Sequence, residues 1–402
     1  MMRNRIVAYH YRQASPWLLE WSKDGVLTAS EPAEERPTHR AWLAPALMDV
    51  QVNGFAGVDF QSPGLSHDQL LRAVKGLRQS GCTRFLPTLV TRPWPEMLEI
   101  LASLRTLREH GQELKESITG WHLEGPFLSS EPGYCGAHAP EHMVDPKPEH
   151  FEQLREAAGD NVLLVTLAPE RPGSAAAIRH ARTLGIHVSL GHTNATAAQL
   201  SEAVEAGATC FTHLGNACPQ ALDRHDNILW RALDIPELHV SLIADGIHVS
   251  PSCFRLLHRA KSGRRLLYTT DAMAAAGVGP GTYALGNLSL EVGADGIVRQ
   301  PGRTNFAGSS LTPIRGVRRA AGMLGVHWGE AWDRFSLVPG AWLGHPVSLK
   351  AGHRADFCLI TPPRDGGDLR RTRLSAYVAG HAVADAIEDL SDIQGLEMPA
   401  SL

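Results

Sequence analysis

Short apolar runs recur through the middle of the chain, separated by longer stretches in which apolar residues return at helical spacing. Residues 47–52, 84–89, 118–123, 162–167, 186–190, 208–212, 240–244 and 266–270 read as eight strands. Between them stand helix signals. Ser66 and Gln69 form a capping box ahead of Leu70, Leu71, Val74 and Leu77, which share one face. Thr196 and Gln199 repeat the device before Leu200, Ala203 and Val204, with Gly207 as the stop. Strands alternating with helices suit either a closed (β/α)8 TIM-type barrel or an open doubly wound sheet.

The strand ends decide for the barrel. Polar residues stand at the ends of strands one, three, five, six, seven and eight: Gln51, Glu124, His192, His213, Asp245 with His248, and Asp271. An open sheet would spread them along a line, whereas closure brings them to one mouth. The flanks differ from this pattern. Residues 5–11 and 17–21, a turn at Asp24-Gly25, and the runs 355–360 and 375–383 are β-like, so both chain ends are expected to pair into one small β-sandwich domain (1–44 and 345–402) beside a barrel of residues 45–344. Residues 362–368 read as a surface loop.

Composition excludes several classes. The 402 residues are 43% hydrophobic and 20% charged, with a net charge of -4 and no Lys/Arg run, which gives no reason to expect nucleic acid or an anionic membrane as partner. The six cysteines are dispersed and lack any Cys-x-x-Cys pair, as reduced thiols of a cytoplasmic protein would be. The first residues lack the apolar core of a signal peptide, and no segment approaches the roughly 18 apolar residues of a membrane span.

Glu124, His192 and His213 form a mixed oxygen and nitrogen donor set suited to one catalytic divalent metal. Zinc is the expected ion, and iron(II), manganese and cobalt are compatible. Each residue alone has an ordinary reading. A histidine is commonly a surface residue, and a carboxylate can cap a helix, although Gly125-Pro126 leaves little room for a helix start after Glu124. Asp271 is either a proton carrier or the cap of a helix near Ala272. His248 is either a ligand contact or a loop residue, and Arg224 either an anion clamp or a solvated loop side chain.

The motifs Met48-Asp49-Val50-Gln51-Val52-Asn53-Gly54, His122-Leu123-Glu124-Gly125-Pro126, Gly191-His192-Thr193-Asn194-Ala195, Thr212-His213-Leu214-Gly215-Asn216-Ala217, Ala244-Asp245-Gly246-Ile247-His248, Thr270-Asp271-Ala272 and Gly308-Ser309-Ser310-Leu311 occur in one order. In this the chain resembles the N-acetylglucosamine-6-phosphate deacetylase family of the amidohydrolase superfamily. The resemblance implies hydrolysis of the acetamide of an N-acetylated amino sugar 6-phosphate. It makes Glu124, His192 and His213 the metal ligands, Asp271 the proton donor and acceptor, and His248 its catalytic partner. It also implies that Ala137, His138, Asn216, Ala217, Arg224, Asp245, Gly246, Ile247, His248, Phe306, Ala307 and Gly308 contact the sugar phosphate, and that the protein is a homodimer.

Many amidohydrolases carry His-x-His where this chain has Gln51 and Asn53, which points to a single ion. Two departures stand out. Asp223 and Asp226 flank Arg224, and Gly215 replaces the family's aromatic residue, which would enlarge the pocket there. Two alternatives to the glucosamine substrate follow from the residues: the galactosamine epimer or another N-acyl amino sugar, and a sugar-phosphate-binding protein without turnover.

Overall fold

The computed structural model describes residues 4–37, 40–261, 263, 265–302, 306–363, 369–391 and 396. Of the loop expected at 362–368, residues 364–368 lie outside the described residues. The chain separates into two compact units. One comprises Met1–Asp49, Val74–Arg84 and Thr312–Leu402, the other Val50–Ala73 and Phe85–Leu311.

Eight strands make one sheet in chain order: β1 Leu47–Val52, β2 Cys82–Val90, β3 Gly120–Glu124, β4 Val162–Leu167, β5 His187–Leu190, β6 Cys210–Phe211, β7 His239–Ile243 and β8 Leu266–Thr269. Neighbours from β2 to β8 pair in parallel. The two edges meet at the strand ends, where Val52 bridges Ala272 in parallel. There the Asn53 N–H donates to the Ala272 carbonyl at 2.7 Å. This closure makes a (β/α)8 barrel and excludes the open sheet. Nearly every residue of the eight strands is buried, as expected for parallel strands covered on both faces.

Local chemistry sets the connecting helices. Ser66 and Gln69 exchange hydrogen bonds of 2.9 and 3.2 Å at the start of the helix His67–Gln79, which buries Leu70, Val74 and Leu77. The Thr196/Gln199 box opens Ala197–Ala206, and Gly207 at φ 126° ends it. After β8 the chain forms a three-stranded antiparallel sheet, Gly281–Leu285, Leu288–Val292 and Val298–Arg299. The eight apolar runs predict no strand here. The alternation of Leu288, Leu290 and Val292 after the Gly286-Asn287 turn is the signal that marks it. Its apolar face packs with Met273, Ala274, Ala275 and Ala307.

In the other unit both chain ends join one seven-stranded sheet. Its order is His381–Glu388, Thr372–Val378, Phe357–Thr361, Trp42–Pro45, Asn4–His10, Pro16–Trp21 and Leu27–Pro32. The sheet curls back on itself, since Val26 bridges Arg354. Ile6, Leu19, Leu27, Leu43, Phe357 and Leu359 fill the fold between its halves. Among the described residues no helix is long and apolar enough to cross a membrane.

Candidate active site

The barrel strands end in polar residues that turn into the mouth. His192, His213 and Asp271, each just past a strand, have φ of 51°, 27° and 51°. This left-handed backbone is strained for non-glycine residues and is typical of functional positions. It ends each strand abruptly. Glu124 closes β3, and its Oε1 lies 3.2 Å from His192 Nε2 and 2.7 Å from His213 Nε2. One donor atom from each of the three lies within 4.8 Å of the others, and all three residues are buried.

Hydrogen bonds assign the protons. His192 Nδ1 faces the Tyr134 carbonyl at 3.0 Å and must donate to it. In the neutral ring its Nε2 is therefore a lone pair pointing at a carboxylate oxygen. The 3.2 Å contact is met either by a second proton on the ring, which then donates to Glu124, or by a divalent cation held by both groups. Orientation of a ligand histidine by a backbone carbonyl is a common support of metal sites. His213 Nδ1 has no partner among the described residues. Burial alone would raise the Glu124 carboxyl, but the hydrogen bonds and charges of His192 and His213 hold it well below its ordinary value. The donor set thus fits a divalent metal.

Asp271 adjoins this set. Burial first, and then the Glu124 charge, push its carboxyl up to about 7. Asn53 Nδ2 donates to its Oδ1 at 2.7 Å and Gln51 Nε2 to the same oxygen at 3.1 Å. Gln51 Nε2 also donates to Glu124 Oε1 at 2.9 Å, while Gln51 Oε1 accepts the Thr212 hydroxyl at 2.8 Å. The positions that lack histidines are thus occupied by a bridge between Glu124 and Asp271.

His138 Nδ1 accepts the Thr91 N–H at 3.3 Å, which leaves the proton on Nε2, 3.7 Å from Glu124 Oε2. Burial lowers this imidazole to about 3, so the ring is neutral. Thr91 directly follows β2, but a threonine there gives no sign of its part, which depends on a contact with the distant His138. Ala137 packs against the cluster that contains Ala307. Asp245 accepts the backbone N–H groups of Ile247 and His248 and the His248 Nδ1–H, at 2.8, 2.9 and 2.7 Å. Gly246, at φ 67°, makes the turn that these bonds need. Phe306 stands edge-on to the His248 ring at 5.0 Å. A Cβ on Gly308, at φ 68°, would crowd the Asp271 carbonyl at 3.2 Å, so glycine suits this close approach.

Beyond β6, the Asn216 side chain donates to the His213 carbonyl at 3.0 Å, and Ala217 has φ 50°. Gly215 has φ 98°, and the slot its side chain would take faces Val249 and Leu257. Arg224 is exposed. Its flanking carboxylates are engaged elsewhere: Asp223 accepts the N–H groups of His225 and Asp226, and Asp226 pairs with Arg231.

Residues 42–391 match the Amidohydrolase family. The chain belongs to the amidohydrolase family. Among its curated relatives, the N-acetylglucosamine-6-phosphate deacetylase of Danio rerio is 36% identical over 353 residues, 85% of this chain and 84% of the relative. The N-acetylgalactosamine-6-phosphate deacetylase of Escherichia coli O157:H7 is 34% identical over 344 residues, 84% of this chain and 89% of its own. Among solved structures, a mutant N-acetyl-D-glucosamine-6-phosphate deacetylase from Mycobacterium smegmatis, in complex with N-acetyl-D-glucosamine-6-phosphate, superposes with a TM-score of 0.83. That match has 30% identity and covers 96% of this amidohydrolase and 100% of the other chain.

Proposed function

We propose that this amidohydrolase hydrolyses the acetamide of N-acetyl-D-glucosamine 6-phosphate to D-glucosamine 6-phosphate and acetate. Glu124, His192 and His213 hold a single divalent ion, zinc in the first place. The observation that carries this reading is the buried donor set in which Glu124 Oε1 faces both His192 Nε2 and His213 Nε2, with Asp271 joined to it through Gln51. The relatives supply the substrate class. A bound ion would act as a Lewis acid on the acetyl carbonyl and lower the pKa of a coordinated water from 15.7 towards about 7.

The chain's own groups handle the protons. Asp271, shifted to about 7, can take a proton from the attacking water as the C–O bond forms. The same carboxyl returns that proton to nitrogen as the C–N bond breaks, so that an amine rather than an amide anion departs. Protonated on both nitrogens, His248 would donate Nε2–H to the developing oxyanion while Asp245 holds the Nδ1–H and supplies the counter-charge. His138, Ala137, Asn216, Ala217, Gly246, Ile247, Phe306, Ala307 and Gly308 line the sugar, and Arg224 receives the phosphate. Support for that clamp is its freedom: among the described residues no hydrogen bond or ion pair occupies the Arg224 guanidinium.

The galactosamine epimer is the second reading, favoured by the similar identity to a relative named for that substrate. The test is acetate release by the metal-loaded protein from N-acetylglucosamine 6-phosphate, N-acetylgalactosamine 6-phosphate and unphosphorylated N-acetylglucosamine. Fastest release from the first supports the proposal, fastest release from the second supports the epimer, and binding without release makes the chain a non-catalytic binder. Six free thiols support a cytoplasmic location. The family resemblance supports a homodimer, which light scattering measures.

A further inference from the structure

Both amide donors around Asp271 reach the same atom. Asn53 Nδ2 and Gln51 Nε2 donate to Oδ1, at 2.7 and 3.1 Å. Their orientations are fixed independently. The Thr212 hydroxyl donates to Gln51 Oε1, which forces the Gln51 NH2 group towards Glu124 and Asp271. The Asn53 backbone is pinned by its N–H on the Ala272 carbonyl, the residue next to Asp271. Asn53 Oδ1 is buried and has no partner among the described residues. A buried acceptor without a donor is destabilising. Asn53 is thus a poor choice for stability, and its one side-chain hydrogen bond goes to Asp271.

We propose that Asn53 and Gln51 are positioning residues that cap Oδ1 of Asp271 and hold the carboxylate in one rotamer, so that Oδ2 is the oxygen that takes and returns the proton. The proposal rests on the deacetylase reading for its catalytic consequence, but the positioning itself is a statement about structure. A carboxylate with both oxygens equally available would be free to rotate between the water and Glu124. Two donors on one oxygen remove that freedom, and the proton then travels from water to Oδ2 and from Oδ2 to the departing nitrogen along one fixed line.

The test uses Asn53→Leu, which removes the donor and the unpartnered acceptor together while keeping the branching at Cγ, with the smaller Asn53→Ala as the second variant if the first does not fold. Acetate release, metal content and crystal structures are measured for wild type, Asn53→Leu, Asp271→Asn and the double variant. The expected result is a fall in kcat of about 10- to 100-fold for Asn53→Leu. KM should stay within about 3-fold and metal content unchanged. In the Asp271→Asn background the same substitution should cost less than about 3-fold, because its effect runs through Asp271. Its crystal structure should show the Asp271 carboxylate turned, with Glu124, His192 and His213 in place. An equal loss in both backgrounds, or an unmoved Asp271, overturns the proposal. If wild type releases no acetate from either sugar phosphate, the deacetylase reading fails, and the crystal structures still decide whether Asn53 and Gln51 hold Asp271.

Discussion

Asp271 is buried among groups of opposite influence, and its behaviour without metal follows from that. Its carboxyl is raised from 3.8 to about 7 by burial and by Glu124. A carboxyl raised in the fold binds its proton more tightly there than in the unfolded chain. The stability this contributes is complete below about 4 and is lost as pH rises through about 7. The stability of metal-free wild type relative to metal-free Asp271→Asn should therefore decline between pH 4 and 7, as measured by denaturant unfolding. A constant difference across that range would contradict the assignment. Arg224 makes the second prediction. Arg224→Ala should raise KM for the 6-phosphorylated sugar about 10-fold or more while changing the unphosphorylated sugar little. Steady-state kinetics on both substrates checks it, and equal effects would remove Arg224 as the clamp. Glu124, His192, His213 and Asp271 were legible in the sequence because each stands just past an apolar run. Gln51 could be read there as a polar strand end and, with Asn53, as a missing histidine, but their bonds to Asp271 could not, since these require the barrel to close.

The strand ends show why the barrel carries this chemistry. A strand that stops at a left-handed residue aims that residue into the mouth, and the loops behind it must pack closely to keep the turn. Gly125, directly after Glu124, illustrates this. It has φ 99°, and a Cβ there would lie 2.1 Å from Thr91 Oγ1, the residue that holds His138. Gly125→Ala should destabilise the fold by more than about 2 kcal/mol and weaken metal retention. Thermal unfolding with elemental analysis tests this, and a variant with unchanged melting temperature and metal content would contradict it. The eight strands were legible from apolar runs, with ends that differ by a few residues. For β6 the run 208–212 shortens to Cys210–Phe211, because His213 leaves the strand conformation. The sheet after β8 was not legible as read, because the glycines at 277, 279 and 281 dominate that stretch while the alternation follows them.

Six strand ends meet at the barrel mouth, and each proposed metal ligand, Glu124, His192 and His213, comes from a different strand. Metal binding should consequently report on the fold as a unit. Removing the ion with a chelator should lower the melting temperature, since a ligand that binds only the folded state stabilises it by mass action. Readdition of one equivalent should restore it, because Gln51 and Asn53 are committed to Asp271 and leave no second donor set there. The most direct test of the account is kcat for acetate release from N-acetylglucosamine 6-phosphate by Asp271→Asn beside wild type, with metal counted on the same samples. The account predicts turnover by wild type, a loss of about 10⁴-fold or more in the variant, and about one ion per chain in both. A variant that keeps more than about a tenth of wild-type kcat with its metal bound, or one that loses the metal altogether, would contradict it.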